Sequence, residues 1–532
     1  MFKHFIFSTI TLFAILPVLA QTNTFQKTYG GPGDEEAYSV QQTDDMGYIL
    51  AGYTTSYGPG SFENAYLVKT DSSGEILWSK TYGKNGGASR FRCVRQTSDG
   101  GYIAAGWTFE SPIMKHDILL VKTDASGNEI WTKKYGDVGC DSAFALELEA
   151  DGGFLITGSM PDSAHSLPKP FLLKTNSAGA PLIFKTYTFV SGIGETSALS
   201  QGKRSFDGGI LLVMKTQLDG NAGLVKLDLN GDVLWNKNYG VGSTGIGSPS
   251  NGAIVEVNNG FYFCTYASSA GGAEVGLVRL NDTGGVVWGK SFGYNLHERG
   301  CSMFQSNDGG IIIGGLSNSF TSGDFDFYLL KVDSSGNFIW SQGYGGDGND
   351  LFYTMVPTSD NGIALTGSST SFGSGKQIYF IKTDSDGVSG CNTRNSITIE
   401  NHKSFNSHPR YWTVNTVSTS DSSVAITITP ETETDSTHCS SLSVEKIAER
   451  RELKVYPNPA NNHINLELDR TDIEFMEVSL SDQTGRVVAN LFKGAYAAYP
   501  GQLNLPEVAP GLYIITLRTD DQKPRQFKLI IQ

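Results

Sequence analysis

Residues 37–82 read AYSVQQTDDMGYILAGYTTSYGPGSFENAYLVKTDSSGEILWSKTY. Four runs, AYSVQQT, GYILAGYT, AYLVKT and EILWSKTY, are rich in β-branched and aromatic residues and are separated by Gly and Asp turn signals. Short strands joined by tight turns form a four-stranded antiparallel meander. The same unit returns along the chain. KTYG at Lys27 recurs as KTYG at Lys80, KKYG at Lys133, KTYT at Lys185, KNYG at Lys237, KSFG at Lys290 and QGYG at Gln342, in steps of 53, 53, 52, 52, 53 and 52 residues. A second marker, Asp/Asn-x-Gly before Tyr, Phe or Ile, has its glycine at 47, 101, 153, 209, 260, 310 and 362. A third, Lys/Arg-x-Asp/Asn-x-x-Gly, begins at Lys69, Lys122, Lys174, Lys226, Arg279, Lys331 and Lys382.

A lone sheet of four strands exposes both faces, and stacking seven around an axis buries them face to face. The sequence therefore predicts an all-β protein with a seven-bladed β-propeller over residues 22–392. A linear β-solenoid would use shorter coils. Aromatics close the fourth strand at Trp78, Trp131, Phe184, Trp235, Trp288 and Trp340, whereas the seventh unit stops near Asp384 without one. Phe25-Gln26-Lys27 lies in register with the missing strand, so the N-terminal segment should complete the seventh blade. Tryptophans placed so regularly read as packing residues.

The chain has 532 residues, 63 of them Gly, and a formal net charge of −14, so it can bury several cores. With no Lys/Arg-rich run to displace phosphate counterions, nucleic acid is not an expected partner. Residues 1–20 read as a signal peptide, with Lys3 and His4, an apolar run from Phe5 to Leu16, and cleavage between Ala20 and Gln21. Pro17 and the polar run from Gln21 cut the apolar stretch short of the roughly 18–20 residues a span needs. No transmembrane span is expected elsewhere.

Loop lengths separate the two faces of such a disc. From the strand-three base to the strand-four aromatic the distance is 9 or 10 residues, whereas from strand two to strand three it ranges from 12 to 17. Function in scaffold folds sits on variable loops, which points to the face of the 2–3 and 4–1 connections. Entry to strand one carries Glu35, Asp141, Glu298 and Asp350, with Asp34, Glu36, Glu195 and Asp347 nearby. Around an axis they could hold a hard cation such as Ca²⁺ through oxygen ligands. The competing reading, weighted above it, has each carboxylate capping backbone N–H groups of its own Gly-rich loop. Tyr53, Tyr57, Phe62, Trp107, Phe109, Phe320, Phe325 and Phe327 fall on or near the 2–3 loops, where they could stack on sugar rings or pack their own loops.

Catalytic signals are weak. His116, His165 and His297 lie in different repeats without metal-ligand spacing, and no nucleophile elbow, P-loop or HExxH helix is present. The Asp-x-x-Gly-x-x-x-Trp turn, as in Asp71 to Trp78, resembles the docking turns of quinoprotein propellers and loosely the Asp-box of sialidases, both structural features. Sialidase chemistry would want arginines converging from separate blades, yet Arg90, Arg92 and Arg95 cluster in one.

Between residues 393 and 442, 20 of 50 residues are Ser or Thr, which reads as a linker over 393–448 with one hairpin. Cys391 and Cys439 bracket it and are expected to pair in an exported chain. From residue 449 the runs LKVYPNPA, HINLELD, MEVSLSDQTGRVV, GLYIITLRT and FKLIIQ predict a small Ig-like β-sandwich.

YPNPA at Tyr456, DQTGRVV at Asp482 and PGLYIITL at Pro510 before FKLIIQ resemble the type A C-terminal sorting domain of the type IX (Por) secretion system over residues 449–532. The resemblance implies Sec export, passage through that system's machinery, removal by a sortase, and a secreted or outer-surface location. The repeats also resemble uncharacterised repeat propellers fused to such domains, which implies no activity. The sequence thus predicts a binding or interaction protein for a carbohydrate or protein ligand, with a glycan-active hydrolase or lyase as the rival.

Overall fold

The computed structural model describes residues 23–440 and 454–531 apart from short stretches within them, the longest being 190–196, 241–253 and 468–474. Ala20, Gln21 and Cys391 lie outside the described residues, so the cleavage and disulfide expectations do too; of Cys439 only the backbone is described, paired with Gln26. The chain is all-β, with one single-turn 3₁₀ helix at Tyr496–Ala498 among the described residues. It divides into two compact units, residues 1–442 and 443–532.

Unit one contains seven antiparallel sheets in chain order. The first is built from Glu35–Gln42, Tyr48–Thr54, Asn64–Thr70 and Ile76–Gly83, each pairing with the next, and five more repeat that meander. The seventh has only Asp350–Pro357, Ile363–Ser369 and Gln377–Thr383 from its own repeat; its fourth strand is Phe25–Gly30, with Gln26 opposite Ile381. Apolar cores lie between sheets rather than within them. Ile49, Leu67 and Tyr82 of the first sheet pack with Phe91, Val94 and Leu119 of the second, and successive sheets share such cores through to the seventh. A further core joins Phe380 and Ile378 of the seventh sheet to Val40, Leu50 and Val68 of the first.

The three sequence markers turn out to be three recurring links. The marker tyrosine is buried and donates its hydroxyl to the carbonyl of the turn glycine one sheet on: Tyr29 to Gly74, Tyr82 to Gly127, Tyr135 to Gly179, Tyr187 to Gly231 and Tyr239 to Gly284, at 2.5–2.8 Å. That glycine must be glycine: Gly127 has φ +73°, and a Cβ there would lie 2.8 Å from the Trp78 ring. The regular tryptophans are thus packing residues, Trp78 against Tyr102 and Trp131 against Phe154. The second and third markers pair with each other, Lys69 with Asp45, Lys122 with Asp99, Lys226 with Asp207, Lys331 with Asp308 and Lys382 with Asp360. The third-marker Asp closes its own turn, Asp71 Oδ1 accepting from the Ser73 and Glu75 backbone.

The Ser/Thr-rich segment departs from the expected linker with one hairpin. Among the described residues its short strands pair with the outermost strand of every sheet, in reverse order. Thr393–Asn395 joins the sixth sheet, Ile399–His402 the fifth, Asn406–His408 the fourth, Trp412–Thr416 the third, Ser422–Ser423 the second and Thr427–Pro430 the first. Thr434–Ser440 then covers the N-terminal strand of the seventh. Each sheet thereby has five strands, and seven edges that would otherwise offer unpaired backbone groups are occupied.

Unit two comprises a three-stranded sheet, Lys454–Tyr456, His463–Glu467 and Gln502–Asn504, and a four-stranded one, Phe475–Ser481, Val487–Ala495, Gly511–Thr519 and Gln522–Ile531. Ile464 and Leu503 of the first share a core with Met476, Val478, Ile515, Leu517 and Leu529 of the second. Two antiparallel layers with alternating inward residues make a small sandwich.

Candidate ligand-binding site

Residues from the seventh, first and second sheets meet around Glu36. Glu36 lies at the start of Glu35–Gln42 and is 4% exposed. Its carboxylate accepts from Tyr38 at 2.8 Å, Tyr53 at 3.2 Å, Tyr353 at 2.7 Å and Lys376 Nζ at 2.8 Å. Burial pushes the Glu36 carboxyl up, but the bonds from Lys376, Tyr353 and Tyr38 outweigh it and hold it below the usual carboxylate range. The bond to Glu36 raises Lys376 in turn, while burial raises the three phenols.

Arg90 and Arg92 enter from Gly87–Gln96, the first strand of the second sheet. The register of this strand against Tyr102–Glu110 shifts between Phe91 and Cys93, a bulge at Arg92, and both arginines reach Tyr38. Arg90 forms a bidentate pair with Glu63, donates to the Tyr38 hydroxyl at 3.0 Å, and lies 4.1 Å from the Tyr53 ring centre and 5.6 Å from that of Trp107. Arg92 lies 4.0 Å over the Tyr38 ring. Beyond Arg90, Trp107 stacks on His116 at 4.2 Å with an 8° tilt, and Phe109 stacks beside them. Burial and the nearby Arg90 charge lower His116, favouring its neutral form.

Of the residues singled out from sequence, Tyr53, Trp107 and Phe109 thus come together with Arg90, but all three are buried; Phe62 beside Phe109 is well exposed, and Phe320 lies outside the described residues. Tyr57 instead packs on Tyr66, and Phe325 lies under Arg299. Glu35, Asp141, Glu298 and Asp350 are all fully buried in four different sheets. Glu35 accepts from the backbone of Gly31 and from Thr54, Glu298 from the backbone of Tyr294 and from Ser317, and Asp350 from the backbone of Gly346 and from Ser371. Asp141 lies buried against Gly136. Glu35, Glu298 and Asp350 thus cap their own loops, and among the described residues no three His, Cys, Asp or Glu side chains gather as metal ligands.

Tyr38, Tyr353 and Lys376 escaped the sequence reading, which had Arg90 and Arg92 only as arginines clustered in one repeat, although a signal exists. Nine residues before the second-marker glycine the repeats carry Tyr38, Arg92, Phe144, Ser200, Asn251, Cys301 and Tyr353. That position changes chemistry from repeat to repeat, and in six of the repeats it is the residue at which the first strand's register shifts against the second.

Residues 454–532 match the family model of the secretion system C-terminal sorting domain. The C-terminal unit is therefore a sorting domain, and it supports export to the cell surface or beyond by the type IX system. No curated protein matches the sequence. Among solved structures, the extracellular domain of a hybrid two-component system protein from B. thetaiotaomicron is similar at 11% identity and TM-score 0.41, over 94% of this chain and 56% of that one. The chain thus spans just over half of that relative. A protein of unknown function from Dyadobacter fermentans aligns at 12% identity and TM-score 0.40, over 68% of this chain and 98% of that one. PorZ, a surface component of the type IX secretion system of Porphyromonas gingivalis, aligns at 9% identity and TM-score 0.19, over 96% of this chain and all of that one. No helix among the described residues is long and apolar enough to cross a membrane.

Proposed function

We propose that this chain is a secreted or cell-surface binding protein whose seven sheets are the blades of a β-propeller. In this reading the sorting domain engages the type IX machinery and a sortase, and the face around Glu36 takes a carbohydrate or protein ligand. The cyclic sharing of cores supports the propeller, since the seventh sheet packs on the first as each sheet packs on the next. First strands of neighbouring sheets also touch, including Asp350–Pro357 against Glu35–Gln42.

The observation that carries the binding role is the Glu36 cluster, where three phenols, two guanidiniums and a lysine from three sheets converge at the variable-loop face. Polar groups placed on rigid strands with aromatic rings between them suit recognition. Hydrolysis is less well supported. A glycosidase needs a carboxyl group able to give or take a proton. Glu63 is held by Arg90, and Glu36 by Lys376 and three hydroxyls.

Two experiments test the proposal. Removing residues 454–532 should leave the folded first unit in the periplasm; normal surface display of the truncated chain would defeat the export reading. A glycan array probed with the purified chain should give signals that Tyr353→Ala abolishes, followed by product analysis to exclude turnover. Signals indifferent to that change would move the site elsewhere.

A further inference from the structure

Three cations stand at the Glu36 cluster, and two of them are matched. Glu63 holds Arg90, and Glu36 holds Lys376. Arg92 differs. Its side chain is partly exposed, its guanidinium lies over Tyr38, and its Nε is buried without a hydrogen-bond partner. A guanidinium donor removed from water and given no acceptor is costly. The cost is recovered if a bound group supplies the acceptor, and a planar carboxylate fits the donor fork with two parallel bonds.

Charge limits the choice. Glu63 and Glu36 match Arg90 and Lys376, and Asp34 also faces Lys376, so Arg92 is the one cation without its own counter-charge, which suits a singly charged anion better than a phosphate dianion. Shape limits it further. The Tyr353 ring, partly exposed and 4.7 Å from Tyr38, offers an aromatic surface next to the ring that Arg92 covers. An extended peptide would favour a free sheet edge, yet the outer edges present only strands of two to seven residues.

Resting on the binding role proposed above and narrowing it, we propose that Arg92 reads the carboxylate of an acidic sugar, a hexuronate, whose ring lies against Tyr353. Glu36, by bonding Tyr38, Tyr53 and Tyr353 at once, holds the ring platform under the guanidinium and acts as a positioning residue. No bond is made or broken in the ligand.

Isothermal titration of the full chain tests this with trigalacturonate, its methyl ester, a sulfated galactose trimer and a glutamate-rich peptide. Trigalacturonate is expected to bind, with at least tenfold weaker binding of the neutral ester. Arg92→Gln should lose at least tenfold and Arg92→Lys several-fold, the latter keeping the charge but not the fork. Thermal unfolding of both variants should stay near that of the parent; if Arg92→Gln does not fold, the Arg92→Lys loss decides. Equal binding of ester and acid, unchanged binding in a folded Arg92 variant, preference for the sulfated trimer or the peptide, or no binding of trigalacturonate would each overturn the inference. Neutral glycans captured on the array and lost in Tyr353→Ala would then show that the binding role survives without acid recognition.

Discussion

The Tyr353 hydroxyl donates to Glu36 Oε2 at 2.7 Å, joining residues 317 positions apart in sequence across the junction of the seventh and first sheets. The same carboxylate takes a bond from Lys376, also of the seventh repeat. One buried anion therefore both builds the candidate site and ties the two ends of the repeat array. We expect Tyr353→Phe to remove one charge-assisted bond at a cost of about 1.5–3 kcal/mol, visible as an earlier thermal transition of unit one. An unchanged transition would show that water or Lys376 replaces the bond.

Glu36 also sets a pH dependence. Its folded-state carboxyl titrates below the unfolded value of 4.5, so its contribution is fully present above that pH and is lost as pH falls through the folded value. Denaturant titrations between pH 6 and 3 should show stability falling faster in the parent than in Glu36→Gln. Parallel curves would mean that the network does not hold the charged form. Asp350 carries the opposite sign. Burial raises it, so its ionisation weakens the fold above the folded value, and the penalty disappears below the unfolded value of 3.8. Asp350→Asn is expected to be neutral or stabilising at pH 7 and without advantage near pH 3.

The marker tyrosines come with a natural control. Six of them reach a turn carbonyl, Tyr344 to Gly387 included, but the fifth sheet has Phe292, and there Lys290 Nζ reaches Gly336 O at 3.0 Å instead. We expect Tyr82→Phe to cost about 1–3 kcal/mol because a buried carbonyl loses its donor. Phe292→Tyr, where the carbonyl already has a partner, should change the transition little. Equal effects at both positions would refute the account of the markers as inter-sheet bonds.

The repeat unit, its strand count and its completion by Phe25–Gly30 were legible because each rests on local signals recurring every 52 or 53 residues. The Glu36 site was not, because its members lie in three repeats and their identity depends on which strand positions face one another. Trp107 and Phe109 were found by residue type alone, whereas Arg90 and Arg92, one strand away, carried no motif. The Ser/Thr-rich segment misled for a different reason. Strands of two to five residues, such as Ser422–Ser423 and Trp412–Thr416, are too short to show alternation, and their partners are dictated by edges built hundreds of residues earlier. The four buried loop carboxylates fitted both capping and cation binding in sequence, and the bonds from Gly31, Tyr294 and Gly346 favour capping.

The N-terminal strand is the position at which completion of the seventh sheet and edge covering coincide. Phe25–Gly30 pairs with Gln377–Thr383 on one side and with Thr434–Ser440 on the other, and Phe25 and Tyr29 are buried in the core shared by the seventh and first sheets. Removing residues 22–28 strips both partners of their ladder and takes the Phe25 ring from between Tyr48 and Phe380. Losing that ring alone should cost about 3–5 kcal/mol. We expect the truncated chain to unfold at markedly lower temperature and to associate through the exposed Gln377–Thr383 edge in size-exclusion chromatography. Deleting 393–440 instead leaves every four-stranded sheet intact while uncovering seven edges, so it should promote association with a smaller fall in thermal stability. If the two deletions behaved alike, or if the first left the melting curve unchanged, the N-terminal strand would not be the element that completes the seventh sheet.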